Sequence, residues 1–328
     1  MAWASGLNVS RWAKQLAYEV GKEIYFNKFM GSGFDSMIVE KSIESGKGKD
    51  ITFGLVGLSG TVVTGDTSLE GSEDSLSSYS QTVATGQRRF GVINAGNFDD
   101  SKVLYSFRNE ALAQLKQEFA EDHDAQVFSA LTLTSGAGAY LRADATASVY
   151  AATDPKASLA STDLVTASDI SKLKKMAMLG TSKSYKMKPV RVEGKNYFVL
   201  LLHPEAAYDL GQDTTWNNAQ QNANVRGSEN PIFSGALGVY DGVIVHEHEG
   251  ITTADDGGGA TVHYARNLFM GAGAGLYGKV GDMSWVEKTF DYGNKLGVAA
   301  GQIYGVDRAT FNSKDYSVIQ YIATATDL

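Results

Sequence analysis

The chain has 328 residues, 43% hydrophobic and 20% charged, which is long enough for a sizeable core and too apolar for a disordered chain. Its formal net charge of −8 excludes a surface that wraps nucleic acid by general phosphate neutralisation. With no cysteine, disulfides, thiolate nucleophiles and cysteine zinc sites are excluded too.

The opening "MAWASGLNVSRWAKQLAYEVGKEIYF" has no signal-peptide core, and no apolar run in the chain is long enough to span a bilayer, so the chain reads as made in a cytoplasm. Trp12, Leu16, Val20 and Ile24 recur every four residues and predict an amphipathic helix, with Ser10 as its N-cap and Gly21 as a weak point near its end. That stripe packs either on its own core or, as an arm, on a neighbouring subunit.

From Asp50 to Phe90, "ITFGLVGLSGTVVTG" alternates β-favouring residues with glycine, and a polar acidic stretch and a second strand follow. This predicts a long two-stranded hairpin with little core of its own, which needs something to lie against. Glu70, Glu73 and Asp74 fall on its tip. Exposed there, they lack the burial that raises a general acid's pKa, and they read as a solvated turn or as contacts to basic groups of another chain, with Arg88 and Arg89 as candidates.

Asp100 to Leu131 contains no glycine or proline. Leu104, Phe107, Ala111, Leu115 and Phe119 form one stripe, predicting a helix of about 25 residues, roughly 37 Å long, with Asp100 as N-cap. A shorter helix is predicted from Ser168 to a stop at Gly180, with Ile170, Leu173 and Met176 inward. "KPVRVEGKNYFVLLLHP" reads as a hairpin turning at Gly194, "EAAYDLG" as a brief helix, and Trp285 to Ala325 as strands. Helices and strands are segregated rather than alternating, which favours an α+β fold.

Two stretches suggest chemistry. In "VIVHEHE", His246 and His248 fall on one face of a strand and Glu247 and Glu249 on the other. Two ligands are too few for zinc, and only His203 and His263 could complete the set, so polar residues at a strand end are the better reading. "MGAGAGLYGKV" satisfies G-x-G-x-x-G through Gly273, Gly275 and Gly278. Val280 stands where a P-loop needs Ser or Thr, and no helical pattern follows, so these glycines read as sites of close backbone packing. No catalytic, cofactor or metal site is predicted.

Three long blocks carry a resemblance: "GTVVTGDTSLEGSEDSLSSYSQTV" followed by "QRR", then "NAQQNANVRGSENPIFSGALGVYDGVIVHEHE", then "WVEKTFDYGNKLGVAAGQIYGVDRATFNSKDYSVI". Through them the chain resembles the major capsid proteins of tailed phages, in the family related to the N4 phage capsid protein. The resemblance implies the HK97-type capsid fold: an N-terminal arm at 1–45, an extended E-loop at 46–97, a P domain with a long spine helix at 98–150, a mainly A-domain segment at 151–284, and P-domain return strands at 285–328. It implies a structural protein rather than an enzyme, a homo-oligomer of hexamers and pentamers closing into an icosahedral shell around the phage genome. Packaged DNA is then a non-specific neighbour, portal and scaffold or decoration proteins are further partners, and the chain resides in the virion after assembly in the host cytoplasm. Trp12, Leu16, Glu70, Glu73, Asp74, Arg88 and Arg89 become the expected inter-subunit contacts. The rival readings are a metal-dependent hydrolase using His246 and His248, and an encapsulin-like compartment enclosing an enzyme cargo.

Overall fold

The structure, a computed structural model, describes residues 5–44, 50–57, 64, 77–94, 96, 102, 106–192, 194–222, 237–259 and 261–327. The four-residue stripe at the start forms helix α1, Ser5–Glu23. Ser10 therefore lies inside the helix and is not its N-cap; the regular backbone begins five residues earlier. A 3-10 turn, Tyr25–Phe29, follows, and its first amides donate to the Asp124 carboxylate, Tyr25 N–H at 2.8 Å and Phe26 N–H at 3.3 Å. The long helix α2, Phe107–Leu131, has the expected 25 residues, but Ser106 occupies its N-cap position in place of Asp100. Asp100 and Leu104 lie outside the described residues. The short helix α3, Ala167–Leu179, starts one residue before the expected Ser168. The Thr166 N–H donates to Asp169 at 3.2 Å there, and Gly180 ends the helix at φ +75°. Helices α4, Pro204–Gln212, and α5, Thr214–Asn222, complete the set.

Beside a two-stranded pair, β16 (Thr310–Phe311) with β17 (Lys314–Asp315), and a separate two-stranded hairpin, two larger sheets carry most of the rest. The smaller contains β1 (Met30–Gly31), β2 (Ile38–Ile43), β14 (Gly275–Phe290), β15 (Lys295–Arg308) and β5 (Gly86–Ile93), side by side in that order. The larger has nine strands. Its path runs β10 (Gly238–Tyr240), β11 (Val243–Glu247), β9 (Lys195–Leu202), β13 (Val262–Met270), β18 (Val318–Thr324), β6 (Ala137–Arg142) and β7 (Val149–Thr153). β12 (Thr253–Gly257) joins β13, and β8 (Val190–Val192) joins β9. A division of the chain between residues 284 and 285 therefore falls inside β14, and β18 belongs to the larger sheet rather than with β15.

The continuous apolar run of β9 is explained by burial on both faces. Leu200 and Leu202 pack under α3 and α4 with Ile170, Leu173 and Leu210. Val199 and Leu201 face the other way, onto Phe128 and Leu131 of α2 and Tyr277 and Tyr304 of the smaller sheet. The first half of α2 packs Leu115 and Phe119 against Leu16 and Val20 of α1 and Trp285 and Val298 of the smaller sheet. One helix thus bridges both sheets.

Where the helix ends, Arg308 is buried and donates to Leu131 O at 2.6 Å, to Asp315 Oδ1 at 2.8 Å and to Val318 O at 3.3 Å. Asp315 Oδ2 accepts the Ala139 N–H at 2.9 Å. This buried pair joins α2, β6, β15 and β18, and every lone pair it satisfies offsets part of the cost of desolvating two charges.

Candidate functional site

The hairpin expected between Asp50 and Phe90 consists of β3, Asp50–Gly57, and β4, Ser77–Ala84, paired from Asp50↔Ala84 to Gly57↔Ser77. Its base does lie against something, as the sequence reading required, and the support comes from other elements of the same chain. Ile51, Phe53 and Val83 are buried with Val39, Leu276, Val280 and Phe311. Alternation explains this, because Ile51, Phe53 and Leu55 share one strand face and the intervening Thr52 and Gly54 the other. Gln81 completes the seat: its amide nitrogen donates to Arg308 O at 2.8 Å, and its amide oxygen accepts the Thr310 N–H at 2.7 Å. Glu70, Glu73 and Asp74 lie outside the described residues.

The glycine-rich motif opens no helix. Gly275 and Gly278 lie in β14, and Gly273, at φ +74°, in the turn before it. Gly278 is paired with Gly305 across β14 and β15. A Cβ on Gly278 would meet Ile51 Cδ1 at 2.9 Å, and one on Gly305 would meet Ala84 O at 2.1 Å. The two glycines form the floor on which the hairpin rests, so the expected close backbone packing has a definite partner.

The histidines divide into two groups. His246 is buried at the end of β11, with its ring 5.7 Å from that of Phe29. His248, just past the strand, donates its backbone N–H to Leu202 O at 3.0 Å, and its ring packs at a tilt 4.3 Å from that of Tyr25 and 4.8 Å from that of Phe128. Burial lowers its pKa, Glu249 opposes that, and Lys28 adds to it. An open cleft of about 880 Å³ runs beside it, lined by Lys116, Glu121, Asp124, Phe128 and Glu249 among others.

The other group is His203 and His263, which share Glu205: His263 Nε2 lies 2.8 Å and His203 Nδ1 3.3 Å from its Oε2. His263 Nδ1 also meets Asp255. Burial works to lower the His263 pKa, but the two carboxylates outweigh it and the net shift is upward. Among the described residues no three ligating side chains are arranged to hold a metal ion. His246 and His248 are aromatic packing surfaces for the 3-10 turn and α2.

Of the expected inter-subunit contacts, Trp12 stacks on Trp285 of its own chain at 5.9 Å and 18°. Leu16 is fully buried on the face of α1 that packs against Leu115 and Trp285 of its own chain. Arg88 is paired with Asp122 of α2 at 3.3 Å, and the same carboxylate accepts the Tyr304 hydroxyl at 2.8 Å. Arg89, the next residue on β5, is exposed. The sequence reading missed three organising residues: Asp124, which holds the 3-10 turn, and Arg308 and Asp315. An acidic residue in mid-helix and a basic one in a strand carry no local signal for such roles.

A family model described as phage capsid protein matches residues 1–144 and 135–327. The major capsid protein of Pseudomonas phage KPP25 is 27% identical over 95% of this chain and 94% of its own length. Among solved structures, the capsid of Ralstonia phage GP4 is similar at TM-score 0.80 and 28% identity, over 93% of this chain and 92% of that one. The capsid asymmetric unit of cyanophage Pam1 shares the fold at TM-score 0.72 and 21% identity, over 92% of each chain.

Proposed function

The chain belongs to the phage capsid protein family, and from that premise we propose how its copies build a shell. It is a phage major capsid protein with the HK97-type fold, and its place is the virion. Copies assemble as hexamers and pentamers into a closed icosahedral shell around the genome, in the host cytoplasm, with a portal protein and a scaffold or decoration protein as further partners. Packaged DNA is a non-specific neighbour. The observation that carries this reading is similarity along nearly the whole chain to phage coat proteins. The phage relatives favour a genome over an enzyme cargo.

The parts take roles by geometry. The smaller sheet with α1 and α2 is the P domain, and α2 is its spine. The larger sheet with α3, α4 and α5 is the A domain, including β18. β3 and β4 form the base of the E-loop, and residues 58–76 lie beyond the last pair of that hairpin. Glu70, Glu73 and Asp74 meet a neighbouring copy. Arg89 is the better arginine for such a contact than Arg88, whose guanidinium is already paired with Asp122. A head-to-tail contact of this kind closes into rings, which is the geometry a capsomer needs.

The test is electron microscopy of the purified chain, with sedimentation and metal analysis of the same sample. Shells, capsomers or tubes are expected. Small particles carrying stoichiometric zinc or manganese would overturn the coat reading.

A further inference from the structure

The cleft beside His248 follows α2 rather than cutting across it. Ala113, Gln117, Glu121, Asp124, Phe128 and Thr132 line it at helical spacing. The helix rises about 28 Å between the first and the last of them. The volume of about 880 Å³, spread over that length, leaves a section of about 30 Å². A single extended chain fits such a groove, whereas a helix, about 10–12 Å across with its side chains, is too wide. The opposite wall is Glu23, at the end of α1, and the loop from His248 to Thr252. Gly250 brings that loop against the helix, since a Cβ there would meet Phe128 Cε2 at 2.6 Å.

The lining is acidic: Glu23, Glu121, Asp124 and Glu249 stand against Lys116, and Lys116 is already paired with Glu23 at 2.9 Å. Asp124 is turned to the Tyr25 and Phe26 amides and lies near Lys28. His248 adds no cation at neutral pH, because burial lowers its pKa. That leaves Glu121 and Glu249, both exposed. Glu121 precedes Phe128 by seven residues, about 10 Å along the helix, and Glu249 adjoins Gly250 at the Phe128 ring. Carboxylates that far apart do not converge on one metal ion. A second observation points to a bound cation. Thr132, at the end of the same wall, is 7% exposed, and its hydroxyl is buried with no hydrogen-bond partner. A hydroxyl left so costs free energy unless a group meets it, and an ammonium, which only donates, is a complement to it and to the carboxylates alike. We propose that this cleft binds a linear aliphatic polyamine, its ammonium groups on Glu121, Glu249 and the Thr132 hydroxyl and its methylenes on Ala125 and Phe128. A basic peptide of the same girth would lay its backbone amides on Ala113, Ala120 and Ala125, which offer them no side-chain partner. The site needs only the folded chain and does not rest on the coat reading.

The test is calorimetric titration of spermidine into the full chain at pH 7.5 and low salt. E121Q/E249Q should weaken binding roughly fivefold or more. D35N/D282N removes the same charge from exposed positions outside the cleft and should weaken it by less than about twofold. Thr132→Val should weaken binding about threefold while the urea midpoint stays level or rises, since the lost hydroxyl leaves no partner behind. Absence of binding overturns the proposal. Equal weakening by the two charge-removing pairs overturns it too, because spermidine would then be answering the acidity of the whole chain. Unchanged affinity in Thr132→Val would take the ligand out of this cleft. An N-acetylated trilysine amide, of the same charge as spermidine, that binds more tightly and loses that advantage with E121Q/E249Q would overturn the ligand class in favour of a basic peptide.

Discussion

His123 is a single residue whose ionisation the fold opposes. It interrupts the apolar stripe of α2, is 3% exposed, and its ring lies 5.1 Å from Tyr277 and 5.2 Å from Tyr304. Its Nδ1 is buried without a hydrogen-bond partner. Burial pushes its pKa down to about 4, against the pull of neighbouring Asp122. Between pH 6.5 and pH 4 the unfolded chain therefore takes up a proton that the folded chain refuses, so stability falls as pH falls through that window and is unaffected by this group above it. The loss from pH 7.5 to pH 5 is on the order of 2 kcal/mol. His263 works in the opposite sense: its raised pKa contributes stability below about pH 6.5 that is lost as pH rises through its folded value. Urea midpoints at pH 7.5 and pH 5 read the sum of the two, and substitution of His123 separates them. His123→Phe keeps a ring between the tyrosines and should remove most of the acid loss. An unchanged acid slope would mean that His123 is not the group responsible.

At the scale of elements, what was legible in the sequence was what repeats locally. Apolar stripes at three- and four-residue spacing marked α1, α2 and α3 because each buries one face, and Gly180 stops α3 as its position suggested. The helix starts were not legible: Ser10 and Asp100 have the side chains of caps, but the backbone of α1 is already helical from Ser5 and α2 begins after the second. The hairpin looked unsupported because its support comes from Gly278 and Gly305, far along the chain, and a missing side chain leaves no hydrophobic pattern to read. Those glycines make a sharp prediction. Gly305→Ala places a methyl 2.1 Å from Ala84 O, where backbone cannot yield cheaply, while Gly86, the first residue of β5, has nothing within 4 Å of its would-be Cβ. Gly305→Ala should cost about 1–3 kcal/mol and make the 77–84 strand sensitive to protease, with Gly86→Ala near neutral on both measures. Equal effects from the two would remove Gly305 as the hairpin floor.

For the whole molecule, pairing between distant segments decides the architecture, and it was the least legible part. Nothing local to β2 says that it runs parallel to β14, or that β18 leaves its neighbour β15 for the larger sheet. Resemblance gave the shell, and the structure refines where to cut it. Removing residues 60–85, a natural choice from sequence, would take β4 and the buried Val83 with it and leave Ile51 and Phe53 without their partner strand. Loss of shells would then say nothing about the tip. Replacing residues 58–76 by Asn-Gly instead joins Gly57 to Ser77, which are already paired, through a two-residue turn of the kind that matches strand twist. This chain should keep the wild-type urea midpoint to within about 0.5 kcal/mol, because the anchored base is untouched. It should nevertheless fail to form closed shells in electron micrographs, since any contact it makes with a neighbour through Glu70, Glu73 and Asp74 is gone. Normal shells from a stably folded trimmed chain would place the contacts that close the capsid elsewhere, on the sheet edges or on α1.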